Sequence, residues 1–345
     1  MSTVYILGAG SSASFDRSYS GIRCPTAKNF FSVADTVLKS MPGNGLAGYK
    51  NIVSFLEKYF SLPISKVEKA GLDMQDVLTF LDLELEYSDS VEEMDLLTSA
   101  RNEFMDLLTL IFNRVLVGPP CPYHTALASS LAEGDTIISF NYDLLMDSAM
   151  NKSPYWAPET GYGFNAATAD AGIITPGLQS KTYLLKPHGS FNWMVCKNCG
   201  KVYVLSPDQS TITVQCSSFK TTEGKQTQHT MERLIIPPSI KKDVHGNILQ
   251  QIWIKALEYL KIARRIVIIG YSLPATDFMV KRLLYRALSQ NRYLKEFELV
   301  DRKNSRSSNP LMEKYRPILY GNNSVRVICD KKNIREYTGA LNRLN

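Results

Sequence analysis

The segment Gly8–Ser12, GAGSS, is the first stretch of the chain that could do chemistry, because it has the composition of a phosphate-binding loop. Its two glycines let a ligand approach the backbone, and a helix that starts there offers amides and a partial positive charge. Its two serines place hydroxyls where a phosphate or a ribose could be held. A dehydrogenase fingerprint needs a third glycine, where this chain has Ala13. It also needs an acidic ribose ligand about 20 residues on, where residues 21–26 instead read as a turn. The segment therefore predicts nucleotide binding without the dehydrogenase unit.

Three further side chains could supply acid–base or polar chemistry. Asn141 and Asp143 follow the apolar run 136–140, and His188 stands in the sequence Lys-Pro-His-Gly. Asn and Asp are also ordinary turn and helix-cap residues, and a lone histidine is most often structural. A histidine at a strand end is nevertheless a candidate base, because its ordinary pKa is about 6.5.

A cysteine knuckle is the third chemical feature. Cys196 and Cys199 have the spacing that places two thiolates on one zinc ion, and Cys216 follows at a distance typical of a zinc ribbon. Phe219 stands where a fourth cysteine is expected, and His229 could complete the site. The alternative is a degenerate knuckle with free thiols. The three remaining cysteines have no matching partners and are expected to be buried small residues.

The elements that position these residues alternate between strands and helices. Short apolar runs at 4–7, 136–140, 266–270 and 297–300 predict buried strands, as does the run 183–189, which ends in a His-Gly turn. The fold class is therefore α/β, a Rossmann-like parallel sheet with helices on both faces. Ligands of such sheets bind beyond the carboxyl ends of the strands. The polar and glycine residues that lie at those ends are Gly8 to Ser12, Asn141, Asp143, His188, Gly270 to Ser272, and Asp301.

Two insertions interrupt the predicted sheet domain. Residues 51–117 have helical periodicity and form a helical insertion, and residues 196–231 form a small cysteine-containing, zinc-binding or degenerate module. The Rossmann-like domain then comprises residues 1–50, 118–195 and 232–345.

Composition excludes several classes of protein. Apolar residues make up 44% of the 345 residues, which is enough for a core, and no apolar run is long enough to span a membrane. The formal charge of +6 is spread along the chain, so a solvated surface is favoured over a groove that binds nucleic acid directly. Without an export signal, six cysteines indicate a reducing, cytoplasmic location.

Five motifs occur in a fixed order along the chain: GAGSS, SFNYD, KPHGS, CKNCG and IVIIGYSLPATD. In this order the chain resembles the sirtuin (SIR2-like) superfamily, and it looks closest to the bacterial sirtuin-like NAD hydrolases of phage defence. The resemblance extends from Val4 to about Asn304, and only the helical insertion carries no motif.

The resemblance implies roles for individual residues. Asn141 would hold the nicotinamide ribose and the attacking water, Asp143 would support that loop, and His188 would be the general base. The remaining residues would bind NAD⁺ at its pyrophosphate and its adenosine half: Gly8, Ala9, Gly10, Ser11, Ser12, Thr26, Gly270, Tyr271, Ser272, Asp301 and Asn304. The aspartate after Ser-Leu-Pro, Asp277, is expected to cap its helix or to order that loop.

The chain also departs from the protein deacetylases of that superfamily. Phe140 replaces the glutamine of the Thr-Gln-Asn-x-Asp motif, and Cys24-Pro-Thr replaces the Asp-Phe-Arg turn. The segment that pairs with an acetyl-lysine peptide is replaced by one containing Pro237 and Pro238, which cannot donate ladder hydrogen bonds. Water is therefore expected as the acceptor.

Three functions remain open from the sequence. The favoured one is an NAD⁺ hydrolase that releases nicotinamide and ADP-ribose, gated by homo-oligomerisation or by a partner protein encoded nearby, and acting in abortive infection. The second is a protein deacylase or ADP-ribosyltransferase, which would need an acyl-peptide or protein acceptor. The third is a nucleotide-sensing module that binds without turnover.

Overall fold

The computed structural model describes residues 2–43, 45–168, 179–205, 216, 231–236, 247–302, 310–321 and 324–341. The chain divides into two compact units. Unit 1 contains residues 1–12, 120–236 and 244–345, and unit 2 contains residues 13–119 together with residues 237–243.

Unit 1 is built on a six-stranded sheet in which every pairing is parallel. Its strands are β1 (Thr3–Leu7), β2 (Thr136–Ser139), β4 (Tyr183–Leu185), β8 (Arg265–Ile269), β9 (Glu296–Val300) and β10 (Arg326–Asp330). Across the sheet the order is β4-β2-β1-β8-β9-β10. If the six strands are counted along the chain, this is the order 3-2-1-4-5-6 of doubly wound dinucleotide-binding sheets. The predicted α/β class with a parallel sheet is confirmed.

The central strands read as continuous apolar runs because both of their faces are buried. The register aligns their ends, since Leu7 pairs with Ile269 on one side and with Ser139 on the other. The residues that follow these three strands therefore emerge at one edge of the sheet. The strand order reverses between β1 and β8, so this edge holds the crevice in which such sheets bind ligands.

Helices accompany the sheet within unit 1. They are α1 (Ala9–Ser12), α6 (Pro122–Ser129), α7 (Leu145–Met150), α8 (Pro158–Gly161), α9 (Asn247–Ile262), α10 (Phe278–Gln290), α11 (Pro310–Tyr315) and α12 (Ile334–Leu341). Five of them form two packed groups: α6 contacts α7 and α12, while α9 contacts α10. Among the described residues, no helix is long and apolar enough to cross a membrane.

A second, four-stranded sheet also belongs to unit 1. Its strands are β3 (Ala167–Thr168), β5 (Gly189–Cys196), β6 (Val202–Val204) and β7 (Met231–Ile235), in the order β3-β6-β5-β7. Strand β5 follows the Lys-Pro-His turn and ends on Cys196, so one strand runs from the candidate base to the cysteine knuckle. Pro237 and Pro238 lie outside the described residues.

Unit 2 is helical. It contains α2 (Phe30–Ser40), α3 (Lys50–Phe60), α4 (Met74–Tyr87) and α5 (Val91–Val115). The predicted domain division assigns residues 13–50 to the sheet domain, whereas compactness groups them with the helices. The physical reason is aromatic packing: the rings of Phe30 and Phe31 on α2 lie 5.8 and 6.0 Å from that of Phe104 on α5.

Candidate active site

The segment Gly8–Ser12, here called the glycine loop, includes the short helix α1 and packs against the loop that follows β8. Gly10 N donates to Gly270 O at 2.9 Å, and Gly8 N donates to Ile269 O at 3.1 Å. A Cβ atom on Gly10 would lie 2.9 Å from the Cα of Gly270, and one on Gly8 would lie 2.6 Å from the Cα of Tyr271. The glycines are therefore required by the contact between the two loops, in addition to any approach of a phosphate.

The two serine hydroxyls of this loop point into the protein. Both side chains are buried. Ser11 Oγ donates to Gly8 O at 2.8 Å, and Ser12 Oγ donates to the Asp143 carboxylate at 2.6 Å. These hydroxyls shape the loop, and Ala9 is the loop residue exposed to solvent.

Asn141 and Asp143 attach the end of β2 to the same loop. Asn141 Nδ2 lies 3.0 Å from Gly8 O, 2.9 Å from Ser12 Oγ and 3.2 Å from Ser11 Oγ. The second carboxylate oxygen of Asp143 accepts from Leu145 N at 3.1 Å, at the start of α7. Asp143 thus joins the glycine loop to the helix that follows β2.

His188 follows β4 and is buried among aromatic rings. Its ring centroid lies 5.0 Å from that of Phe140 and 5.9 Å from that of Trp253 on α9. Its carbonyl accepts from Ile236 N at 2.8 Å. The residue that stands in place of the sirtuin glutamine, Phe140, also packs 4.9 Å from the Tyr271 ring, so it links the candidate base to the loop after β8.

Asp277 is the acidic neighbour of the candidate base. One of its carboxylate oxygens lies 3.9 Å from His188 Nε2 and accepts from Tyr271 Oη at 2.6 Å. Asp277 occupies the N-cap position of α10, but its side chain makes no capping bond, and its bond to Tyr271 fits the expectation that it orders the loop. Burial and the Asp277 charge raise the pKa of Tyr271 well above its ordinary value, so its phenol stays protonated and donates.

The loop after β8 continues through Ser272 and a residue with unusual backbone geometry. Leu273 has φ of +47°, in the left-handed region that a leucine rarely occupies, which indicates local strain. Ser272 is exposed and its carbonyl accepts from Lys314 Nζ at 3.0 Å. Tyr315 Oη donates to Tyr271 O at 3.1 Å, which holds the loop from the side of α11.

The remaining predicted residues are Asp301, Thr26, Asn304 and His229. Asp301 follows β9, is half-buried, and its amide donates to Asp330 O at 3.1 Å. Thr26 belongs to unit 2, where its amide and hydroxyl donate to Asn29 Oδ1 at 2.7 and 2.8 Å. Asn304 and His229 lie outside the described residues.

The cysteine knuckle forms a compact cluster. The Sγ atoms of Cys196, Cys199 and Cys216 all lie within 4.8 Å of one another, and those of Cys199 and Cys216 are 3.5 Å apart. Sulfurs bound to one tetrahedral zinc at about 2.3 Å lie about 3.8 Å from each other. The donor set and its spacing therefore fit a single zinc ion.

The comparisons with known proteins give remote structural likenesses. No family model matches the sequence, and no curated protein matches it. A solved Sir2 homologue in complex with ADP-ribose is 12% identical, with a TM-score of 0.42 over 99% of this chain and 90% of that chain. A Sir2 structure with an inhibitor, 2′-O-acetyl-ADP-ribose and a deacetylated peptide is 13% identical, with a TM-score of 0.43 over 99% of this chain and 93% of that one. Likenesses this distant assign no function.

Proposed function

We propose that the chain is a sirtuin-like NAD⁺ hydrolase that cleaves the bond between nicotinamide and ribose. One observation carries the proposal: at the switch point of the sheet, a continuous set of contacts joins the nucleotide-type loop to the candidate base. It runs from Gly8 and Ser12 to Asn141 and Asp143, and from Gly10 through Gly270, Tyr271 and Asp277 to His188. Dinucleotides bind at this position in sheets of this strand order.

The residue types suit hydrolysis of NAD⁺. Nicotinamide is already cationic in the oxidised dinucleotide, so it leaves without a general acid. As the C1′–N bond breaks, its electron pair passes to the nicotinamide ring, and the ribose passes through an oxocarbenium-like state. Water adds to C1′, and the proton that it loses passes to His188, whose charge Asp277 then offsets. Asn141 orients the ribose and the water.

Water is the proposed acceptor for two reasons. First, where the deacetylases have a polar glutamine, the site carries the apolar ring of Phe140, which packs against both His188 and Tyr271. The sequence after β7 has two prolines, which cannot donate hydrogen bonds to an added peptide strand.

The test is product analysis with the purified full chain and NAD⁺. We expect equimolar nicotinamide and ADP-ribose from the parent, a loss of about 10²- to 10⁴-fold in His188→Ala, and a comparable loss in Asn141→Ala. Lys181→Met is the control, because Lys181 belongs to an exposed ion pair with Glu133. Binding of NAD⁺ without nicotinamide release at every protein concentration, with and without the partner proteins encoded nearby, would contradict the proposal and favour a sensing module.

A structural zinc ion is part of the proposal. Cys196, Cys199 and Cys216 would hold it, with His229 as the fourth ligand, and it would stabilise the second sheet without taking part in the reaction. Metal analysis should find one zinc per chain in the parent and loss of zinc in Cys199→Ser. A parent chain free of zinc after purification without chelators would identify a degenerate knuckle.

We also propose that the activity is gated, since uncontrolled loss of NAD⁺ is toxic. The motif order supports a role as an NAD⁺-depleting effector of phage defence, controlled by homo-oligomerisation or by a partner encoded nearby. The helical insertion, residues 51–117, carries none of the motifs and is the proposed control surface. A chain that lacks this insertion but has unchanged activity and assembly would exclude this role.

A further inference from the structure

Lys186 is a charged residue in the core of unit 1. Its exposed fraction is 0%, and its ammonium lies 2.9 Å from the carboxylate of Asp147 on α7. A buried charge is costly unless it is paired and its remaining protons are bonded. The contacts of this ammonium therefore indicate what keeps it there.

Two of those contacts are with the backbone of the candidate catalytic segment. Lys186 Nζ donates to Asp143 O at 2.7 Å and lies 3.5 Å from Tyr142 O. It also donates to Ser190 Oγ at 2.7 Å, so all three ammonium protons have an acceptor. Tyr142 O accepts a second bond, from Phe191 N at 3.1 Å. Hydrogen bonds thus hold the carbonyl groups of Tyr142 and Asp143, the two residues that follow Asn141.

The acceptors around Lys186 are themselves fixed. The other oxygen of the Asp147 carboxylate accepts from Tyr162 Oη at 2.6 Å. Ser190 Oγ donates to Asn192 Oδ1 at 2.7 Å, and Asn192 Nδ2 donates to Leu205 O at 2.8 Å. Side chains from α7 and β5 therefore determine the position of the ammonium.

Lys186 also belongs to the turn that carries the candidate base. It precedes His188 by two residues, and its carbonyl accepts from Gly189 N at 2.9 Å. One residue thus joins the Asn141–Asp143 segment after β2 to the His188 turn after β4. Reacting groups need this kind of support, because a misplacement of about 1 Å can cost about 100-fold in rate.

We propose that Lys186 is a positioning residue, which sets the Asn141–Asp143 segment against the His188 turn through its bonds to the two carbonyls. This inference rests on the proposed NAD⁺ hydrolase function. Asp147 balances the charge, and the donation to the carbonyls does the positioning.

Two variants separate positioning from stability. Asp147→Asn leaves the ammonium and its bonds to the carbonyls but removes its counter-charge. The double variant Lys186→Met with Asp147→Asn removes both charges and the donor to the carbonyls, and it avoids the unpaired carboxylate that Lys186→Met alone would bury. Lys181→Met is the matched control, because it makes the same substitution at an exposed ion pair.

Thermal midpoint, kcat and KM for NAD⁺ are measured for each variant. We expect Asp147→Asn to have the lower thermal midpoint and a kcat close to that of the parent. The double variant should recover thermal stability, yet lose about 10- to 100-fold in kcat with little change in KM. A kcat that follows the thermal midpoint across the variants, or a double variant as active as the parent, would overturn the inference.

Hydrogen exchange gives a readout that does not need activity. The peptide covering residues 140–148 should exchange its amide hydrogens faster in the double variant than in Asp147→Asn. Its carbonyls have lost the donor that held them, so the segment opens more often. A parent without NAD⁺ turnover would contradict the proposed function alone, and the exchange comparison would still decide the positioning role. Equal exchange in the two variants would overturn it.

Discussion

At the scale of single residues, most polar side chains of the candidate site are buried and bonded to one another. Asn141 and Ser12 bond to each other and, through the Asp143 carboxylate, to the start of α7. Asp277 accepts from a phenol that stays protonated. Such mutual bonds hold the groups in place before a substrate arrives, which lowers the reorganisation needed during reaction.

Gly270 gives the sharpest prediction at this scale. Its φ is +64°, and a Cβ atom there would lie 2.5 Å from Ser11 N. Gly134 shares a positive φ, +89°, but has no atom within 4 Å of its Cβ position. Alanine at either glycine destabilises the folded state by about 1–2 kcal/mol, because a residue with a Cβ is strained at positive φ. Only Gly270→Ala must also displace the glycine loop.

We therefore expect Gly270→Ala to weaken NAD⁺ binding by about tenfold or more, and Gly134→Ala to leave it unchanged despite a lower thermal midpoint. Calorimetric titration with NAD⁺ measures both. Equal affinities in the two variants would mean that the contact between the loops does not shape the binding site.

At this scale the sequence predicts which residues lie beside the strand ends, but not how their side chains are oriented. The placement of Asn141, Asp143 and His188 beside strand ends was predictable, because each lies within four residues of the end of a strand that reads clearly. The serines of the glycine loop were expected to face a ligand, yet they face inward, since residue type does not reveal the rotamer. The contact of Asp277 with His188 and the contacts of Lys186 with Asp143 and Asp147 join segments far apart in the chain, which no local pattern records.

At the scale of elements, five of the six strands of the parallel sheet were predicted and β10 was not, and several helices, α9 among them, were overlooked. Strands β1, β2, β4, β8 and β9 of the parallel sheet are short apolar runs with clear ends. Helix α9 carries Trp253 against His188 and was not predicted. Its signal was present, because Leu249, Ile252, Ala256 and Leu260 recur at helical spacing and are buried.

Helix α6 carries a titratable group whose effect on stability can be predicted. His124 is buried beside Cys121, with 3.1 Å between Nδ1 and Sγ, and burial lowers its pKa to about 4, with the nearby Asp147 acting in the opposite direction. In the unfolded chain its pKa is about 6.5. Between these values the unfolded state binds more protons, so stability falls as pH falls from about 6.5 towards 4, by at most about 3 kcal/mol.

Replacement by a group that does not titrate should remove this dependence. We expect His124→Asn to be less stable than the parent near neutral pH but to lose less stability on acidification. Urea midpoints measured from pH 7 to pH 4 test this. Parallel curves for the two proteins would show that His124 does not control the acid sensitivity.

At the scale of the whole molecule, strand order determines where the site lies. The sequence predicted an α/β sheet, but the order β4-β2-β1-β8-β9-β10 depends on pairings between distant segments, such as Thr3–Leu7 with Arg265–Ile269. That order places the reversal between β1 and β8, where the glycine loop meets the loop that follows β8. The extent of the helical unit also depends on packing, because aromatic contacts with α5 group α2 with unit 2.

The most direct test of the account is the source of the oxygen in the product. The purified chain is incubated with NAD⁺ in water enriched in oxygen-18, and ADP-ribose is analysed by mass spectrometry. We expect one labelled oxygen at C1′ of the ADP-ribose from the parent, and about 10²- to 10⁴-fold less ADP-ribose from His188→Ala. Nicotinamide release that requires an added acyl-peptide or protein, with the ADP-ribose recovered on the transferred acyl group or on the protein, would contradict it.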